Sequence, residues 1–320
     1  MPESVVLAEV WRSGVLEGVH RGHAVVLDPD GRVERAWGDP MVPILPRSSN
    51  KPMQAVAMVR AGLPIEGELL ALTAASHSGE PFHVEGATAI LAMAGLDADA
   101  LLTPEELPID EEEKARVLAA GGGPSRLLMN CSGKHAAMLL TCVVNDWPTG
   151  NYTDVEHPLQ RSICEEVVAL SGEQPWALAI DGCGAPIFGL TLSGLARSAT
   201  ACVLADPATP PRQVADAMRA HPEWVAGSRR DATALASSVP GLLLKEGAEA
   251  VYVAAFPDGR AIALKIDDGA NRARPVAMAG ILQGLGIDNE VIEAQAHAAL
   301  LGAGRPVGEI RPAPALRSPF

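Results

Sequence analysis

The sequence predicts an α+β fold in which an antiparallel sheet built from both chain ends carries helices packed on it. Three observations lead there. β-Patterned runs joined by Pro-Asp-Gly turns stand near both ends of the 320-residue chain, helical periods fill most of the middle, and no repeat or clear linker divides it. A chain of this length can bury one substantial core, so residues 1–320 are read as a single domain.

In order, residues 5–9, 24–27 and 33–37 read as strands, the first two separated by a polar loop and the last two joined by Asp28-Pro29-Asp30-Gly31. Helices are expected over 52–60 and 84–94, each stopped by a glycine, Gly62 and Gly95. Thr103-Pro104-Glu105-Glu106 and Asp110-Glu111-Glu112-Glu113 each resemble a capping box, and the second opens a helix running to Gly121. More helices are predicted over 135–144, 158–169, 212–220, 276–285 and 290–301. Residues 250–256 and 260–266 form the second hairpin, and the tail 305–320, rich in Pro and Arg, reads as irregular.

Hydrophobic residues make up 48% and aromatics 3%, so Ala, Val, Leu and Ile must build the core. A net charge of −14 without clustered Lys and Arg argues against a nucleic-acid partner and suits a small polar substrate. No apolar run approaches the ~20 residues of a membrane span. The five cysteines are odd in number and widely spaced, and the first residues lack a basic signal-peptide start. Both features place the protein in the cytoplasm with reduced thiols.

Chemistry is first suggested by Arg47-Ser48-Ser49-Asn50-Lys51-Pro52, which sets a hydroxyl and an amine one helical turn apart before an apolar helix. Lysine can deprotonate serine only if its own charge is disfavoured. The alternative is that Ser48, Ser49 and Asn50 merely cap the helix. Pro52 should also push Lys51 out of helical geometry. Ser76-His77-Ser78-Gly79-Glu80 follows a buried run, but adjacent side chains diverge, so a Ser76–His77 dyad is disfavoured. Within residues 261–266 the period of two puts Ile262, Leu264 and Ile266 on one face and a lone Lys265 beside Ala261 and Ala263 on the other. That lysine lines a cleft wall or snorkels to solvent. Cys131 and Lys134 are three apart at a helix start, and Asp181-Gly182-Cys183-Gly184 is a glycine-lined turn. These cysteines read as core residues, as metal ligands, or, for Cys131, as a thiolate nucleophile. No G-x-S-x-G, H-E-x-x-H, P-loop or dinucleotide fingerprint is present, so an organic cofactor has no seat.

Taken together, Arg47 to Pro52, Ala75-Ser76-His77-Ser78, Cys131-Ser132-Gly133-Lys134-His135, Asp181-Gly182-Cys183 and Leu264-Lys265-Ile266-Asp267-Asp268-Gly269 resemble the asparaginase II family, the rhizobial-type L-asparaginases. The resemblance implies a serine β-lactamase or penicillin-binding-protein-like fold, a homodimer, and hydrolysis of L-asparagine to L-aspartate and ammonia. It implies two Ser-Lys tandems, Ser48 with Lys51 and Ser76 with Lys265. Cys131, Lys134 and Cys183 would hold zinc, while Asp181, Arg47 and His135 would bind substrate, Asp181 through the α-ammonium. The β-lactamase elements S-D-N and K-T-G are not both recognisable, which disfavours a β-lactam substrate. Two other readings stay open: another amidase on this scaffold, such as a glutaminase or peptidase, and a non-catalytic protein that binds small amino acids or metal.

Overall fold

The computed structural model describes residues 3–318. Its twelve strands are β1 Val5–Arg12, β2 Val15–Leu27, β3 Val33–Trp37, β4 Pro43–Ile44, β5 Leu178–Ile180, β6 Pro186–Phe188, β7 Leu190–Thr191, β8 Leu243–Gly247, β9 Val251–Ala255, β10 Ala261–Ile266, β11 Ala298–Gly302 and β12 Arg305–Pro312. The main sheet runs β11-β12-β1-β2-β10-β9-β8 with β3 on β2, and every pair in it is antiparallel. It joins the two chain ends, as the pattern of hairpins predicts.

Alternation along the strands builds two cores, one on each face of the sheet. Val25, Leu27, Val251, Val253, Ala261 and Ala263 enter the larger core, with helices Lys51–Arg60, Gly67–Thr73, Ser132–Val144 and Leu192–Leu204. Ala24, Val26, Tyr252, Ala254, Ile262 and Leu264 enter the other, against helix Ala273–Gly284. The expected split of residues 261–266 is therefore observed. Among the described residues no helix is long and apolar enough to cross a membrane.

Several expectations are corrected. The polar loop before residue 24 is the first half of β2, exposed at Val15, Leu16 and Val19 because it pairs with β1 while its side chains meet solvent. Thr103 to Glu106 opens no helix; Glu106 instead bridges Ser125. The helix from Glu290 ends at Ala296, and the chain turns into β11 and β12, so most of the tail pairs in the sheet. Strand β8 and helix Leu192–Leu204 were not expected from the pattern.

Candidate active site

Three lysines, Lys51, Lys134 and Lys245, are 1%, 1% and 0% exposed. Burying an ammonium is costly unless it is paired and hydrogen-bonded, so their convergence marks the part of the molecule where stability yields to chemistry.

The approach to the site is a 3₁₀ turn, Arg47–Asn50, leading into helix Lys51–Arg60. Arg47 has a left-handed φ of 51°, which costs about 1–2 kcal/mol for a side chain of this kind. It is held there by Asp181, whose Oδ1 accepts from its Nε at 3.0 Å. Lys51 is helical, at φ −58° and ψ −33°, despite preceding Pro52. The bias against that geometry is overridden by anchoring of its amine: Nζ donates to the carbonyl of Ala75, to Ser76 Oγ at 3.0 Å and to Cys131 Sγ at 2.9 Å. Ser49 turns away from the cleft and donates to the Lys245 carbonyl at 3.3 Å. That approach needs a glycine in β8, because a Cβ at Gly247 would lie 2.8 Å from both the Pro46 carbonyl and Ser49 Oγ.

Ser48 and Ser76 both line one cleft of about 630 Å³, with Asn130, Arg230, Glu246 and Gly247 also on its walls. The second amine at Ser76 is Lys245, whose Nζ donates to Ser76 Oγ at 3.1 Å and to the Glu246 carbonyl at 2.8 Å. A single hydroxyl therefore sits between two buried amines. Burial pushes Lys245 down to about 8; Lys51 and Arg230 push the same way and the Glu246 carboxylate, 3.3 Å off, opposes them. Glu246 is opposed by burial yet held down at about 2 by Lys245, Arg230 and Arg274.

Lys265 is not the partner of Ser76. Its Nζ donates to the carbonyls of Glu249 and Ile266, beside a separate pocket with His23, Arg47 and Trp176. The sheet register explains the exchange. Lys265 pairs with Val251 and Val251 with Gly247, whereas Lys245 pairs with Val253 and Val253 with Ala263. Both lysines project from one face, but they stand two strands apart, at about 4.8 Å per strand, and in different rows. The available sequence signal was Leu242-Leu243-Leu244-Lys245-Glu246-Gly247, a lysine and glycine closing an apolar run. A Lys265→Met variant is accordingly expected to keep kcat/KM near wild type; a large loss would restore Lys265 to the site.

His77 serves the framework rather than Ser76. Its Nδ1 accepts from Gly79 N at 3.2 Å, so Nε2 carries the proton and donates to Ser132 Oγ at 2.8 Å. Burial holds it well below the ordinary histidine range.

Beyond Lys51 lies the thiol cluster. Helix Ser132–Val144 comes this close to helix Gly67–Thr73 because Gly133 has no side chain; a Cβ there would be 2.8 Å from the Leu72 carbonyl. Cys131 Sγ–H donates to Asn130 Oδ1 at 3.1 Å; the neighbouring Cys183 sulfur and burial raise Cys131 well above the ordinary thiol range, while Cys131, with Lys134 and His135, holds Cys183 well below it. Lys134 Nζ donates to Cys183 Sγ at 3.2 Å. Burial disfavours the charge of Lys134, but the two sulfurs outweigh it and raise its pKa. Tyr152 OH accepts from Leu102 N at 2.9 Å and so donates to His135 Nδ1 at 2.8 Å. His135 Nε2 is buried with no hydrogen-bond partner among the described residues, near Cys183. Lys134 is the recorded hydrogen-bond donor to the Cys183 sulfur, in surroundings that favour the thiolate. Arg47 and Asp181 neutralise each other, and neither lines the cleft that holds the two serines.

The model of the L-asparaginase II family matches residues 8–312, nearly the whole described chain. The chain belongs to that family. No curated protein matches this chain. Among solved structures, Mglu in its native form is 16% identical with a TM-score of 0.42, covering 81% of this chain and 62% of that one. A β-lactamase from Mycobacterium bovis is 15% identical with a TM-score of 0.43, covering 82% and 93%. A Bacillus glutaminase is 15% identical with a TM-score of 0.35, covering 82% and 90%. This family member thus spans about 62% of the length of Mglu.

Proposed function

We propose that the protein is an amidohydrolase that converts L-asparagine to L-aspartate and ammonia. Family membership supports the reaction class, and the observation that carries the reading is the Ser76 hydroxyl held between the buried amines of Lys51 and Lys245, in a cleft shared with Ser48. Lys245-Glu246-Gly247 is a form of the K-x-G pattern that accompanies S-x-x-K in serine acyl-transfer enzymes.

Ser48 Oγ attacks the side-chain amide carbon, and its proton passes into the relay formed by Lys51, Ser76 and Lys245. The tetrahedral intermediate collapses as the carbon–nitrogen bond breaks, and the relay returns the proton to the departing ammonia. Water then attacks the ester, releases aspartate and restores Ser48. Ser76 supports a second reading as nucleophile, because it alone of the two hydroxyls is hydrogen-bonded to amines. Ammonia release from L-asparagine, with L-glutamine and a peptide amide in parallel, tests the proposal. Asparagine should be preferred; no ammonia from any of the three refutes an amidohydrolase.

Zinc belongs to the proposal as a group the thiol cluster fits. Among the described residues no group of three His, Cys, Asp or Glu side chains is arranged to hold a metal ion, so the donors proposed are the sulfurs of Cys131 and Cys183 with the Lys134 amine. Cys183 is held well below the ordinary thiol range, which favours the thiolate a metal needs, while Lys134 is raised and must lose its proton to bind, which makes occupancy pH-dependent. Zinc there would supply a Lewis acid beside Lys51. Cys183→Ser should lower the zinc content found by elemental analysis and raise KM more than it lowers kcat; wild-type metal content in that variant, or none in the wild type, makes the cluster structural. Asp181 and His135, substrate contacts by the family resemblance, are engaged by Arg47 and Tyr152 and do not line the cleft of the two serines, so this reading gives them no contact with the substrate. The reading also includes a cytoplasmic homodimer, supported by five free thiols and by Trp176, Leu178 and Ile180, which are 54%, 50% and 65% exposed. Light scattering tests the dimer.

A further inference from the structure

An amino-acid amide brings an α-carboxylate into the cleft, and a carboxylate out of bulk water needs a cation with free donors. Three arginines line the cleft with the serines: Arg229, Arg230 and Arg274. Two are committed. Arg229 is bound by Asp110 at 2.6 Å, Glu113 at 3.1 Å and Glu112 at 3.5 Å. Arg274 donates to both oxygens of Asp231, at 3.1 and 2.9 Å, and stacks 4.8 Å over the Tyr252 ring. Arg230 differs. Its side chain is 22% exposed, and among the described residues its guanidinium makes one long hydrogen bond, 3.4 Å to Glu246 Oε1. The rest of its planar fork of N–H donors has no described partner. Arg47, the other arginine near Ser48 in sequence, is tied to Asp181 outside this cleft.

We propose that Arg230 forms a carboxylate subsite that grips the α-carboxylate of the substrate and so restricts the enzyme to free amino-acid amides. The subsite takes its substrate from the asparaginase reading, yet it can be tested apart from turnover. Backbone geometry favours a fixed placement: Arg230 immediately precedes helix Asp231–Ser238, and its N–H is bonded to the Gly227 carbonyl at 3.2 Å. Nearby Glu111 and Glu112 on the same cleft make a zwitterion, rather than a dianion, the better-matched ligand.

The experiment compares wild type, Arg230→Gln and Arg230→Lys with two amides, L-asparagine and 3-aminopropanamide, which is asparagine without its α-carboxylate. Calorimetric binding of L-aspartate is measured in parallel. Arg230→Gln should weaken L-aspartate binding and raise KM for asparagine by about tenfold to hundredfold, the range for losing a hydrogen bond to a charged group. Compared on the alkaline side of the Lys245 limb, its kcat/KM for 3-aminopropanamide should fall much less than that for asparagine, and Arg230→Lys should fall between. A purely electrostatic role, acting through Glu246 on Lys245, would slow both amides alike and would overturn the subsite. Equal L-aspartate binding by wild type and Arg230→Gln, or none by the wild type, would overturn it too. If the wild type binds L-aspartate through Arg230 but releases no ammonia, the subsite stands and the asparaginase reading falls.

Discussion

Ser48→Ala is expected to lower kcat for asparagine by about 10⁴-fold or more, the scale seen when a serine nucleophile is removed. The fold should be unaffected, because no described hydrogen bond uses the Ser48 hydroxyl and the residue lines the cleft rather than the core. Ser49→Ala is the matched control. It removes one 3.3 Å bond to the Lys245 carbonyl, which contributes about 1 kcal/mol of stability, and leaves turnover in place. Turnover that survives in Ser48→Ala but not in Ser76→Ala transfers the attack to the hydroxyl between the two amines.

The second large effect concerns Lys245 and pH. Its pKa is depressed to about 8, with burial the leading cause. Below that value Lys245 is an ammonium donating toward Ser76 Oγ and cannot accept a proton; above it the neutral amine can. The rate, as kcat/KM, should therefore rise with pH through about 8 and be greatest on the alkaline side. Lys245→Met should remove that limb and cost about 10²–10⁴-fold in rate, the usual worth of a general acid–base group. Lys265→Met should leave the limb in place. A limb near 6.5 that Lys245→Met does not move would point to a histidine base instead.

What the sequence made legible depended on distance along the chain. The Cys131–Lys134 helix start and the two Pro-Asp-Gly hairpins are local patterns, and each stands where its spacing puts it; the Ser48–Lys51 turn is local too, but the Lys51 amine is hydrogen-bonded to Ser76 rather than to Ser48. The choice between Lys245 and Lys265 is not local. Both satisfy the demand for a lysine on one face of a strand, and only the pairing of β8 with β9 and β9 with β10 decides between them. The link between Arg47 and Asp181, 134 residues apart, is hidden for the same reason. Strand β8 itself went unread because all five of its residues are buried, so it shows no alternation of apolar and polar positions.

The order of strands in the main sheet has a consequence for synthesis. Among the described residues β10 alone joins the β8-β9 pair to β1 and β2, and β12 must arrive before β1 gains its second partner. Pairings of such long sequence separation form slowly, since the loop must close before any contact rewards it. A nascent chain that has just emerged through Pro257 already contains Ser48, Lys51, Ser76 and Lys245 but lacks β10. It holds the nucleophile and the three groups of the proposed relay and has no frame to bring them together, so activity should appear only once β10, in the last fifth of the chain, has left the ribosome.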